Sequence, residues 1–305
     1  MSPGTSQASY PLEVLYTQAA EAARTGARSF FFATKFFPPD LARAAHAIYW
    51  YCDYTRSFVR QGATAEQSQA NLGHASLDRW ASMVTAGLRG HLARHPVLDV
   101  FLDTVDRCHI PGDYALELIE GYRMELTHSR YESFSQLLEH CRRTGGMVSM
   151  MLAHVVGYRD PALDYMADLG VAADLTANLR DLGEHLSRGY VSIPLEEMRA
   201  FNYSEADLEA RYRNAAFESL MRYQADRVHT YYQKAEPGLG LLDERGRFAV
   251  RVAFDLYRKM LRRIEASGFD VFRRRPSVPA MSRYWITARS MAGPITRRLW
   301  KGRSA

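Results

Sequence analysis

The chain has 305 residues, of which 47% are hydrophobic and 24% charged, enough for a large core and far from the composition of a disordered chain. Its 39 Lys+Arg against 34 Asp+Glu leave a formal charge of +5. The basic residues are scattered except at the C-terminus and form no basic-aromatic module, so no nucleic-acid partner is expected; an anionic small molecule or a membrane surface suits the balance as well.

Helical periodicity dominates from end to end. It predicts helices over 12–25, 28–36, 39–60, 64–94, 96–108, 112–127, 133–157, 161–187, 194–201, 204–233, 239–266 and 280–291. Pro96, Pro111-Gly112, Pro161, Pro237-Gly238 and Pro276 punctuate them; Ser204 followed by Asp207 has the look of an N-cap, and Pro194 suits the first position of a short helix. No strand alternation, repeat or long linker breaks the pattern, so residues 1–305 are expected to form one all-α domain. Cys52, Cys108 and Cys141 are widely spaced without a CxxC pair, which predicts free thiols and a cytoplasmic location. The N-terminus lacks a basic region followed by an apolar one, and the longest apolar run, MVSMMLAHVVGY, is too short to span a bilayer.

Within the helix predicted over 39–60, YWYCDYTRSFVR places Tyr49, Asp53, Arg56 and Arg60 on one line, beside an apolar line of Leu41, Ala45, Ile48, Cys52, Thr55 and Val59. Two readings stay open for the arginines: a solvated face with Asp53 as partner, or an anion site. Further on, His91 and His95 have the spacing of a metal pair but no third ligand. Nucleotide-binding, zincin and serine-hydrolase signatures are missing.

The stretch DLGVAADLTANLRDLGEHLSRGYVSIP, residues 168–194, is the most informative. Leu169, Ala172, Thr176, Leu179, Leu182 and Leu186 form its apolar stripe, and Asp174, Asn178, Asp181 and His185 a polar line. Carboxylates so placed suit a hard cation that bridges to phosphate, with Asp181 joined by Asp174 or Glu184. A polar outer face closed by Glu184 and Arg188 is the competing reading. The C-terminal tail gathers Arg297, Arg298, Lys301 and Arg303 around Trp300; it is either a solvated, frayed end or a peripheral contact with an anionic membrane surface.

LTANLRDLGEHLSRGYVSIPLEEMRAFNYSEADL resembles the second aspartate-rich motif and following helix of the squalene/phytoene synthase family, usually LTNILRDxxED…GRxYLPxE. ARSFFFATKFFPPDLARAAHAIYWYC, GYRMELTHSRYESFSQLLEHCRRTGGMVSMM and LYRKMLRRIEASGFDVFRRR are similar to other family stretches, in the family's order, over about residues 20–290. The resemblance implies an all-α isoprenoid-synthase bundle around a central cavity, followed by a basic tail over 291–305. It also aligns YCDYTRSFVR with the family's FCRxxDDxVD, so Arg56, Ser57 and Arg60 stand where aspartates belong and Asp53 where an arginine belongs. In the second motif His185 replaces the closing aspartate, Asp174 a glutamine and Ala177 an asparagine.

From that resemblance the expected ligands are an allylic prenyl diphosphate and Mg2+, the metal on Asp174, Asp181 and Glu184. Ser29, Phe30, Arg56, Arg60, Tyr122, Asn178, Arg180, Tyr257 and Arg275 are the expected substrate-binding residues. With the first motif altered, the resemblance points to the branch that transfers a short, dimethylallyl-type group to an aromatic acceptor such as a carbazole. In that reaction Glu125 or His185 takes the ring proton and Tyr49 lines the reacting centre. A head-to-head squalene/phytoene-type synthase and a non-catalytic assembly protein are the alternatives. The oligomeric state has no sequence signal.

Overall fold

The computed structural model describes residues 11–62, 67–91, 94–273, 275–279 and 287, with backbone alone at 62 and 67–70. Chain order gives α1 (Leu12–Gly26), α2 (Arg28–Thr34), α3 (Pro39–Gly62), α4 (Gln67–Leu88), α5 (Pro96–Arg107), α6 (Gly112–Thr127), α7 (Phe134–Cys141) and α8 (Met147–Val156). There follow α9 (Ala162–Arg180), α10 (Leu182–Ser187), α11 (Leu195–Ala200), α12 (Glu205–Glu209), α13 (Ala215–Ala235) and α14 (Glu244–Ala266). Among the described residues no strand forms; only the isolated bridges Arg130–Val191 and Tyr158–Leu242 occur. None of the described helices is long and apolar enough to cross a membrane. The helix predicted over 280–291 and the basic tail lie outside the described residues, apart from Thr287.

Two large apolar clusters build the bundle, and a small third one, Leu15, Tyr16, Ala47 and Val100, fastens α1 to α3 and α5. Of the large two, one unites α3, α4, α5 and α6 around Ile48, Tyr51, Trp80, Phe101 and Leu118. The other unites α9, α13 and α14 around Leu175, Phe217, Tyr232 and Phe254. Helix α8 serves both, giving Met151 and Val155 to the first and Ala153 and Val156 to the second. The line predicted for α3 is buried throughout, from Leu41 to Val59. Its one hydroxyl, Thr55, is satisfied by the Tyr51 carbonyl at 2.7 Å and by the Trp80 indole N–H at 2.9 Å.

Four predicted helices are interrupted. Between α7 and α8 the run RRTGG, Arg142–Gly146, is a π-helical turn, a local widening that re-aims the side chains beyond it. Its Gly145 and Gly146 lie against Gly170 of α9, where an added Cβ would overlap the Gly145 carbonyl. The predicted 161–187 helix ends at Arg180, and Asp181, at φ −100° and ψ 10°, starts a new direction. The predicted 204–233 helix splits at Arg211, whose φ is +55°, and Asn214 caps α13 by accepting from the Phe217 N–H. The predicted 239–266 helix becomes a 3-10 turn, Glu236–Leu241, followed by α14.

Candidate active site

Between the two large clusters lies a polar interior with two walls. Helices α3 and α6 make the first. Arg56 points inward and its Nη2 lies 3.5 Å from Oε1 of Glu125, while Nε2 of His140 lies 3.5 Å from the same oxygen. His140 is oriented by its Nδ1, 3.1 Å from the Gly121 carbonyl oxygen. Burial pushes the Glu125 carboxyl up, but Arg56 and the neighbouring His140, His185 and Arg188 bring it below the ordinary glutamate value. Glu125 in turn raises Arg56, whose other electrostatic neighbours are Tyr122, Asp174 and Tyr190. Arg56 therefore faces residues from α6, α9 and the segment after α10 at once. Arg60 does not join it: its guanidinium turns back along α3 to Asp53 at 3.1 Å, with both side chains well exposed.

The second wall is the α9–α10 junction and the segment after α14. Arg180 Nε and Nη2 donate to the two oxygens of Asp181 at 2.8 and 2.5 Å, and Arg275 Nε and Nη2 donate to the same pair at 2.7 and 3.0 Å. Burial raises the Asp181 carboxyl, yet these four charge-assisted bonds bring it down to about 2. Glu184 bonds Arg188 at 2.6 Å, and Arg275 is 3.9 Å away from it. His185 is held by Ser192, whose hydroxyl is 3.2 Å from Nδ1, and its ring meets Tyr190 edge-on. Burial, aided by Arg56, lowers His185 to about 4, so the imidazole is neutral at pH 7. Asp174 accepts from the Thr144 hydroxyl of the π turn at 2.6 Å.

Aromatic side chains link the walls. Tyr49 stacks on Phe30 with ring centroids 5.6 Å apart. Tyr49 also feels Tyr257, which is itself influenced by Arg180, Asp174 and Asp181. Burial holds the phenols of Tyr49, Tyr122 and Tyr257 above their ordinary value, so all three stay protonated. The structure thus brings together Phe30, Tyr49, Arg56, Tyr122, Glu125, Asp174, Arg180, Asp181, His185, Tyr257 and Arg275. Ser29 lies half-buried at the start of α2, Asn178 turns its amide toward the Cys141 sulfur at 3.9 Å, and Arg60 and Glu184 occupy the exposed rim.

The donor set does not suit a resident Mg2+ cluster. Among the described residues no group of three His, Cys, Asp or Glu is placed to hold a metal ion. Asp181 is gripped by two guanidiniums, Asp174 is bonded by Thr144, Glu184 by Arg188, and Arg56 fills a position on the opposite wall that the family reserves for a carboxylate. His140, Thr144, Ser192 and Tyr190 escaped the sequence reading. His140 and Thr144 sit in the quoted stretch RYESFSQLLEHCRRTGG, but only the π turn and the Gly145–Gly170 contact set them toward Glu125 and Asp174.

The squalene/phytoene synthase family model matches residues 23–282. Over 271 residues the chain is 34% identical to a 15-cis-phytoene synthase of Synechocystis, covering 83% of this chain and 77% of the relative. Over 289 residues it is 33% identical to the 15-cis-phytoene synthase of Synechococcus elongatus, covering 90% and 91%. A dehydrosqualene synthase solved with a ligand superposes with a TM-score of 0.82 at 20% identity, over 93% of this chain and 98% of that one. A squalene synthase from Alicyclobacillus acidocaldarius superposes at 0.74 with 18% identity, over 86% and 97%. The fold is that of the all-α isoprenoid synthases. The chain belongs to the squalene/phytoene synthase family.

These relatives correct one expectation. Transfer to a carbazole-like aromatic acceptor is overturned, because the relatives at 33–34% identity are phytoene synthases, on the head-to-head side of the family. The aromatic-rich interior that prompted the expectation suits a long isoprenoid chain equally, and the altered first motif does not by itself identify a new acceptor.

Proposed function

We propose that the chain is a head-to-head prenyl synthase of the phytoene type, joining two long allylic diphosphates. The observation that carries this reading is the 33–34% identity to phytoene synthases across most of the chain. The site chemistry is compatible with it. Arg180 and Arg275 offer positive charge where a leaving diphosphate would gather negative charge, and the faces of Phe30, Tyr49 and Tyr257 offer electron density to an allylic cation. Glu125, held ionised by Arg56, and His185, held neutral by burial, are the groups able to accept a proton as the joined product forms.

One observation favours a second reading, a family member that binds prenyl diphosphates without joining them. Arg56, Ser57 and Arg60 stand in place of the first motif's carboxylates, so one of the two head groups lacks the family's metal cradle. Incubation of the full chain with geranylgeranyl or farnesyl diphosphate, with and without Mg2+, separates the two. Phytoene or dehydrosqualene detected by mass supports the synthase. Saturable binding of the diphosphate with no C40 or C30 product establishes the binding-only reading.

A further inference from the structure

Asp181, the acid that opens the second motif, has its bonding capacity fully used. Two planar forks close on one carboxylate, Arg180 at 2.8 and 2.5 Å and Arg275 at 2.7 and 3.0 Å, so each oxygen accepts twice. Mg2+ demands a near-octahedral oxygen shell with ligand lone pairs turned toward it. None is left on Asp181 while both forks are in place. The neighbouring carboxylates are more lightly bonded, Asp174 by Thr144 and Glu184 by Arg188, but neither is joined by Asp181 into a ligand set while the two forks are closed.

The same geometry gives an anion what it needs. Three guanidiniums on this wall, Arg180, Arg188 and Arg275, stand against three carboxylates, Asp174, Asp181 and Glu184, and two of the three guanidiniums are spent on the single carboxylate of Asp181. Arg275 comes from the segment after α14 with a 61% exposed side chain, so it can swing without unpacking the core. Arg180, largely enclosed, is fixed beside Tyr257. A diphosphate has more oxygens than a carboxylate and more charge, so it can engage both forks at once and outcompete Asp181 for them.

We propose that this chain grips an anionic diphosphate group directly through Arg180 and Arg275, without a divalent ion, and that Asp181 is the resident counter-anion which the incoming group displaces. The inference rests on the proposed function only in taking a prenyl diphosphate head group as the ligand. It assigns Asp181 a role opposite in sign to that of a metal ligand: the carboxylate competes with the substrate group instead of recruiting it.

The test is calorimetric titration of inorganic pyrophosphate into the full chain, in EDTA and in Mg2+, for the parent, Asp181→Asn and Arg275→Gln. The parent should bind in EDTA. Asp181→Asn should bind about tenfold tighter there, because both forks are vacated, and Arg275→Gln about tenfold weaker, each a difference of about 1.4 kcal/mol. Binding by the parent only when Mg2+ is present, binding in neither buffer, or weaker binding by Asp181→Asn overturns the proposal. Arg275→Gln, at an exposed side chain outside the helices, decides the matter if the buried substitution does not fold. Product formation is scored separately. A terpene product that requires Mg2+ would sink this inference and leave the proposed activity standing, whereas metal-free pyrophosphate binding with no product would do the reverse.

Discussion

On the α3–α6 wall one guanidinium, Arg56, meets one carboxylate, Glu125, at 3.5 Å; on the α9–α10 wall two guanidiniums close on one carboxylate, Asp181, at 2.5 to 3.0 Å. In the first pair Glu125 is buried and shared with His140, while the Arg56 side chain keeps 40% of its surface exposed, and the charges balance. The second commits two guanidiniums to one carboxylate, and one of them, Arg275, is a long side chain on an exposed segment. Charge matched one to one inside a protein stabilises a geometry, because removing either partner strands the other away from water. A guanidinium on an exposed arm can leave its carboxylate for an anion with more oxygens to offer. The contrast is in keeping with the proposal that the second wall, rather than the first, takes the diphosphate group.

The largest expected effect severs the walls from each other. Gly170 of α9 packs on Gly145 of the π turn, and a methyl at Gly170 would overlap backbone atoms that cannot rotate away. Gly170→Ala should therefore destabilise by at least about 3 kcal/mol, the upper range for overpacking. Chemical denaturation measures it; a cost below 1 kcal/mol would mean that the crossing yields easily and that Thr144 and Asp174 are not held by it.

On the first wall, Glu125→Gln keeps the shape but removes the carboxylate 3.5 Å from Arg56, a loss of about 1 kcal/mol, since the guanidinium is 40% exposed and water screens part of the pair. The double variant Glu125→Gln with Arg56→Gln should recover part of it, since both charges then vanish together. If the single and double variants lose the same amount, Arg56 was never stabilised by Glu125, and the one-to-one description of this wall fails.

Acid should unsettle the interior through His185. Its folded value, about 4, lies below the ordinary 6.5, so the unfolded chain binds the extra proton first. The contribution is fully present above pH 6.5 and is lost as pH falls toward 4; at pH 5 the loss amounts to about 2 kcal/mol. His46, buried against Phe31 and the Thr34 hydroxyl and likewise lowered to about 4, adds a loss of the same sign. Stability curves at pH 7 and pH 5 for the parent and His185→Gln separate the two histidines. A parent whose stability is flat from pH 7 to pH 5 would show that neither imidazole is held neutral.

Much of this was legible in the sequence. The buried line of α3 follows from periodicity, since a 3.6-residue pattern of apolar side chains must face a core, whereas α9 is buried on several sides, with Val171, Leu175 and Asn178 enclosed as well as the predicted stripe. Arg180, Asp181, Glu125 and Arg275 were reachable from the family's order of motifs. The breaks at Asp181 and the π turn were not, because both come from a close approach between distant helices, Gly145 on Gly170, which no local pattern encodes. For the same reason His140 and Ser192 went unnoticed: each acts through a partner far off in sequence. The reading of the acceptor went astray because it took lost carboxylates as a change of substrate, when they equally describe a change in how charge is supplied.

The smallest effect belongs to the residue that looked equivalent to Arg56 in the sequence. Arg60 lies one helical turn further along, but its guanidinium folds back to Asp53 Oδ1 at 3.1 Å and to the Asp53 carbonyl at 3.2 Å. The two side chains are 39% and 38% exposed, so water already solvates much of the charge and salt screens the rest. Arg60→Ala should change stability by no more than about 0.5 kcal/mol, and a double-mutant cycle with Asp53→Ala should give a coupling of the same small size that shrinks in added salt. Pyrophosphate binding should be unmoved. If Arg60→Ala instead weakened pyrophosphate binding tenfold, the exposed pair would open in the presence of the anion, and Arg60 would have to be counted with Arg180 and Arg275 as part of the grip.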